Sequence, residues 1–407
     1  MSAFASQHPI LLVALPKIVV LLFLLLTSLA YLTWFERKVV AHIQARWGPY
    51  RVGPHGLLQP LADGVKFLFK EDVTPAGADK FVYFLAPFFA LSLAITSIAV
   101  IPFGPREFTM FGQPTRLAIT DLNIGLLLLF AITSMGVYGV ALAGWSSNSK
   151  YSLLGGLRSS AQMVSYELAL TMSVVGVLLM AGSFNLTEII TAQGGFHWGF
   201  LPRWNFIAGP LPQVIGFFCF FTAAVAETNR APFDLAEAES ELVAGFHTEY
   251  ASFKFAMFFM AEYASMITVS CLAAILFFGG WLSPVPPAAF SWARYIPTAA
   301  FGLAGLALIV HGVQYLTIFG RVVLPALGLC LCGLAALVAR PGLNELAQGP
   351  FWFLVKVVIF LFIYVWVRGT LPRFRYDQLM NLGWKLLLPL SILNVVITSL
   401  AIVLTQR

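Results

Sequence analysis

The segment ETNRAPFDLAEAESELVAGFHTEY, residues 227–250, carries Glu227, Asp234, Glu237, Glu239, Glu241 and Glu249, six of the chain's 18 carboxylates. Arg230 is the single Lys or Arg that opposes them. Apolar runs end just before this segment and begin just after it. Acids concentrated in a chain otherwise poor in charge suit two tasks, moving protons and holding a partner. Glu237 and Glu241 stack at i, i+4, where like charges repel when exposed and share protons as a coupled set when partly buried. Glu239 points elsewhere on a helix. Asp234, followed three residues on by Glu237, has the form of a helix N-terminal capping box. Arg230 could hold one carboxylate ionised. A solvated acidic surface helix would show the same charge pattern.

Two further acids lie inside apolar runs. Glu167 sits eight residues into a run that starts near Ser159, roughly 12 Å along a helix. Gln162, Ser165 and Tyr166 surround it in sequence. Glu262 lies nine residues beyond Phe253. A carboxylate there is costly unless protonated, paired or hydrated, which suits a proton relay. A helix–helix hydrogen bond from a protonated acid is the structural alternative. Another polar set lies in GLLQPLADGVKFLFK, residues 56–70. Gln59, Asp63, Lys66 and Lys70 share one helical face, and Leu57, Leu58, Leu61, Val65 and Leu68 fill the other. That is an interfacial amphipathic helix, either a surface anchor or one wall of a pocket open to lipid. Glu36, Arg37 and Lys38 end the first apolar run, as interfacial anchors or as a charged pocket lip. His42, His55 and His247 read as structural, and His311 is isolated from any acid in sequence. Lys17 and Lys356 lie within apolar runs and read as snorkelling outward.

The elements that must position these residues follow from composition. The chain of 407 residues is 59% hydrophobic and 10% charged, with mean hydropathy +0.85, so an all-α polytopic membrane protein is expected. Apolar runs at 10–33, 82–102, 121–144, 159–181, 207–226, 253–282, 298–319, 322–339, 350–368 and 386–404 predict about ten transmembrane helices in one membrane domain. With the first loop, 35–81, on the cytoplasmic side, sixteen Lys and Arg fall inside and six outside. That asymmetry obeys the positive-inside rule and puts both termini outside. The net charge of +6 is thus an orientation signal and gives no reason to expect nucleic-acid binding. Cys219, Cys271, Cys330 and Cys332 lie in apolar runs, without disulfide or metal spacing, and read as small core residues. The absence of basic residues before a long apolar run makes residues 10–33 a first span instead of a cleaved signal peptide. No phosphate loop, dinucleotide fingerprint, CxxC or HxxxH is present, so any electrons must come from another subunit.

The stretches 36–72, 159–170, 227–250, 258–266 and 368–391 are long, charged and spread over the chain. In them the sequence resembles the family of membrane-arm H subunits of bacterial NADH:quinone oxidoreductase, respiratory complex I. The resemblance covers about 1–282 and 350–407. It implies an eight-span core, so the block 283–349 reads as an inserted two-helix hairpin. An even number of extra spans keeps the basic loop 368–385 inside. The resemblance also implies that Glu36, Arg37, Arg46, Asp63 and Lys66 line a quinone channel or chamber. It implies that Glu167, Glu227, Glu237, Glu239, Glu241, Glu249 and Glu262 form the acidic path from that chamber to antiporter-like subunits. Quinone would be the substrate, and FMN and iron–sulfur clusters would reside in partner subunits. The partners would be the hydrophilic-arm subunits that carry iron–sulfur clusters and complete the chamber, together with small and antiporter-like membrane subunits. The place would be the bacterial inner membrane, in contact with lipid. The homologous subunit of a membrane-bound hydrogenase, an independent ion transporter using Glu167 and Glu262, and a passive assembly scaffold are the alternatives.

Overall fold

The computed structural model describes residues 9–104, 107–110, 113–197, 200–234, 243–286, 290–315 and 317–405. Among them, nine helices are long and apolar enough to cross a membrane, and a tenth apolar helix is shorter. In chain order the helices are α1 (Pro9–Ile43), α2 (Gln59–Phe69), α3 (Lys80–Ile98), α4 (Gly125–Ser146), α5 (Lys150–Ala181), α6 (Leu186–Ala192), α7 (Val214–Glu227), α8 (Ser252–Phe277), α9 (Ile296–Val313), α10 (Ile318–Val338), α11 (Pro341–Thr370), α12 (Tyr376–Asn381) and α13 (Leu388–Thr405). A π-helical stretch, Leu382–Leu387, joins α12 to α13. Two small antiparallel hairpins, Glu107–Met110 with Gln113–Arg116 and Phe196–His197 with Leu201–Pro202, are the sheet among the described residues.

Several boundaries differ from the hydropathy reading, each for a local reason. Helix α1 runs ten residues past the apolar run, which places Glu36, Arg37 and Lys38 on a rigid helix. Helix α5 begins at Lys150, so Glu167 lies nine residues deeper in its helix than a start at Ser159 implies. The fifth expected span begins only at Val214, because Pro210 and Pro212 cannot donate to a helical turn and bias their neighbours to extended backbone.

Helix α8 is the core of the bundle. Every residue from Val269 to Phe277 is buried, so the helix is enclosed on all sides. Small residues let its neighbours close in. A Cβ on Gly155 of α5 would meet the Gly245 Cα at 2.5 Å, so that helix and the turn Gly245–His247 touch backbone to backbone. The hairpin α9–α10 closes similarly, since a Cβ on Gly328 would meet the Gly305 carbonyl at 2.6 Å. Cys219 and Cys271 are buried as expected, but Cys330 is exposed and Cys332 half-buried on this hairpin. The reason is that α10 presents an apolar face outward, toward lipid in a membrane protein.

Helix α2 is docked at its C-terminus. Ser252 Oγ, at the start of α8, donates to the carbonyls of Phe67 and Lys70, each at 2.9 Å. These are end carbonyls that a helix cannot satisfy internally. Leu61 and Leu68 remain 69% exposed, as an interfacial helix requires.

Candidate functional site

A cavity of about 1100 Å³ opens between α1, α2, α8 and the end of α11. Glu36, Arg37, Arg46, Asp63 and Lys66 all line it, so the five residues singled out in the first loop do converge. Leu26, Leu29, Phe255, Phe259 and Met260 supply apolar wall. The lining cations Arg37, Arg46, Lys66, Lys70 and Arg368 outnumber the lining acids Glu36 and Asp63. The cavity therefore suits an amphiphile whose polar end carries or develops negative charge.

Two ion-pair sets order the lining. Asp63 of α2 takes Arg37 of α1 at 2.9 Å, Lys66 at 3.9 Å and the Gln59 amide at 3.1 Å. This exposed set ties the amphipathic helix to the first span. Arg46 Nε donates to the Gln44 side-chain oxygen at 2.8 Å. Glu36 is 5% exposed. It pairs with Arg368 from α11, and the Tyr263 hydroxyl of α8 donates to it at 2.8 Å. A buried carboxylate needs such partners. The sequence reading gave neither Arg368 nor Tyr263 a role. The signal for Tyr263 was its place directly after Glu262, and that for Arg368 its place at the end of an apolar run beside a basic loop.

Tyr263 faces a second site behind the cavity. The Arg230 guanidinium stacks over its ring at 4.3 Å and reaches Glu262 at 3.4 Å. His247 Nε2 lies 3.6 Å from the other oxygen of Glu262. The intramembrane acid is thus neutralised from the acidic segment itself, and Arg230 acts on Glu262. His247, read from sequence as structural, is 3% exposed and packs on Phe246, Phe255 and Phe258. Asp234 pairs with Arg373 of the basic loop at 3.1 Å. Its expected capping partner Glu237, with Glu239 and Glu241, lies outside the described residues.

Glu227 and Glu262 line one small cavity of about 70 Å³, large enough for water. Glu227 ends α7 within Coulombic range of Glu167. Glu167 accepts a hydrogen bond from Ser134 of α4. Glu249 is held through its carbonyl, which accepts from the Tyr83 hydroxyl at 2.6 Å. Beside it, Tyr250 stacks on Tyr83 with ring centroids 4.3 Å apart. Burial pushes the Tyr250 phenol up to about 12.

Lys356 does not snorkel. It is 7% exposed, and its Nζ donates to the carbonyls of Phe278, Gly280 and Leu282 at 2.7, 2.8 and 2.7 Å. It caps the end of α8, where Gly279 and Gly280 turn the chain with positive φ. Lys17 reaches the end of the first hairpin, donating to the carbonyls of Arg116 and Ala118. Among the described residues no three His, Cys, Asp or Glu are grouped to hold a metal ion.

Long apolar helices, an amphipathic helix beside a charge-lined cavity, and carboxylates set within the helices define a class: a multi-pass helical membrane protein. The profile of the NADH dehydrogenase family matches residues 16–399, and the chain belongs to that family. It is 51% identical to the first of the NADH-quinone oxidoreductase H subunits of Solibacter usitatus, over 97% of this chain and 98% of that protein. It is 52% identical to the second H subunit of Koribacter versatilis over the same shares. To the second H subunit of Geobacter metallireducens it is 42% identical, over 95% of this chain and 94% of that protein.

Proposed function

We propose that this chain is a membrane subunit of a proton-translocating NADH:quinone oxidoreductase, that the large cavity admits the quinone, and that the acids behind it couple quinone reduction to proton movement. One observation carries the reading. Tyr263 touches both halves of the site, donating to Glu36 at the cavity wall and taking Arg230, the partner of Glu262, on its ring. A quinone accepts two electrons and two protons on reduction, so charge and proton demand change beside Glu36. A change in the Glu36 charge alters the Tyr263 hydrogen bond and the field at Arg230, and hence the balance between Glu262 and its partners. Glu262, Glu227 and Glu167 then lead on through the bundle, with Glu237, Glu239, Glu241 and Glu249 as the cytoplasmic approach. Electrons come from partner subunits bearing FMN and iron–sulfur clusters. The cytoplasmic loops meet the hydrophilic arm, both chain ends face the periplasm, and further membrane subunits continue the proton path.

The test is to purify the chain in mild detergent, identify what accompanies it by mass spectrometry, and assay NADH:quinone activity on the same sample. Iron–sulfur and NADH-oxidising subunits with activity support the reading. A nickel–iron hydrogenase module, or the chain alone, overturns it. In an active complex, Tyr263→Phe keeps the ring and loses the hydroxyl. It is expected to lower coupled proton pumping more than NADH oxidation by an artificial acceptor, and equal pumping in variant and parent sinks the coupling route.

A further inference from the structure

The turn between α9 and α10 lies on the same face of the protein as the first loop and packs on the tight turn Pro54–Gly56. The Tyr315 hydroxyl accepts from the His55 backbone N–H at 3.0 Å. His311 and His55 bring their Nε2 atoms to 2.7 Å, with rings stacked at 5.0 Å. The Tyr315 and Tyr50 rings meet the His55 ring edge-on at 5.1 and 5.8 Å. His55 has φ of 53°, a backbone conformation that a non-glycine residue seldom holds without surrounding contacts. From the other side, the Trp34 indole of α1 donates to the His55 carbonyl at 3.2 Å.

The grip on His55 is itself firm. Tyr315 is 8% exposed. Its ring occupies the space a Cβ on Gly320 would need, and Arg321 donates to its carbonyl at 2.7 Å. Burial, with His311 and Lys38 nearby, holds the His55 imidazole below its usual pKa, so its ring is neutral near pH 7 and can share one hydrogen bond with His311. From His55 the contact passes to the cavity. Gly56 abuts the Pro49 backbone, and a Cβ there would meet the Pro49 carbonyl at 2.5 Å. Gly48 and Pro49 line the large cavity. Lys38 pins the same strip through the carbonyls of Trp47 and Pro49, at 3.2 and 2.9 Å.

We propose that the hairpin α9–α10 is a positioning element for the quinone cavity: His311 and Tyr315 hold the His55 turn, and through it the Gly48–Pro49 wall, in the shape that binds substrate. This rests on the reading of the cavity as the quinone site. Neither His311 nor Tyr315 lines the cavity, so their loss changes quinone affinity and spares the rate of the bound complex.

The experiment uses assembled complex in native membranes with Tyr315→Phe, His311→Ala and His311→Gln. Tyr315→Phe and His311→Ala should each raise the KM for quinone about two- to tenfold, the effect of one hydrogen bond, with kcat nearly unchanged. His311→Gln, whose amide can still donate to His55, should return KM toward the parent value. NADH oxidation by a water-soluble artificial acceptor should stay constant throughout, which reports an intact hydrophilic arm. Unchanged KM in every variant overturns the proposal. So does a parallel fall in kcat and in the amount of assembled complex, which marks a purely structural role. A parent complex with no quinone-dependent NADH oxidation overturns the cavity reading itself, and this inference with it.

Discussion

Arg230→Met removes the cation that neutralises Glu262 while keeping much of the apolar stem. The two groups stand 3.4 Å apart with side chains 6% and 12% exposed. At an effective dielectric of about 20, unit charges at that separation attract by about 5 kcal/mol, before desolvation is subtracted. Removing one partner of a buried pair typically costs about 3–5 kcal/mol, since the other charge stays in low dielectric. Glu262→Gln should be milder, because the guanidinium keeps the Tyr263 ring at 4.3 Å, a contact worth about 0.5–2 kcal/mol. The double variant Arg230→Met with Glu262→Gln removes both charges and should be more stable than Arg230→Met alone, with a coupling of about 1–3 kcal/mol. The assay is the midpoint of thermal inactivation of the complex, with its abundance in membranes measured alongside. If the double variant loses as much as the two single losses added together, the pair carries no coupling and the reasoning fails.

Gly155→Ala forces a methyl into the Gly245 backbone and should cost about 1–3 kcal/mol or block assembly, whereas Gly333→Ala, whose Cβ meets nothing within 4 Å, should be tolerated. A native gel of solubilised membranes compares the two, and equal assembly refutes the close approach. Lys356→Met leaves three carbonyls without their donor and should destabilise the complex by about 3 kcal/mol or more, read as a lower thermal midpoint. An unchanged midpoint would mean that water replaces the ammonium. Burial lifts Tyr250 from 10.0 to about 12, so the folded state holds this proton longer than the unfolded chain does. Its contribution is therefore complete below pH 10 and falls as pH rises toward 12. The gap in thermal midpoint between parent and Tyr250→Phe should stay flat up to pH 10 and shift above it, and a shift confined to lower pH would count against the assignment.

The span count and the amphipathic helix were legible in the sequence, because each is a local property. Twenty apolar residues need a membrane wherever they occur, and a face of Gln59, Asp63 and Lys66 is set by helical periodicity alone. The distribution of Lys and Arg gave an expectation of which loops share a side, because charge asymmetry across a membrane is likewise a local property. Boundaries were less legible, since helix α1 continues through Glu36 to Ile43 where hydropathy has already ended.

What only the tertiary structure decided is the partner of each charge. Glu36 meets Arg368 and Tyr263 from distant parts of the chain, Glu262 meets Arg230 and His247, and Lys356 turns inward to three carbonyls. His55, His311 and Tyr315, which nothing in the sequence connects, meet across the hairpin turn. None of these pairings has a periodicity to read. Each depends on how elements distant in sequence pack together, and on which rotamer a buried charge must adopt to avoid standing alone in low dielectric.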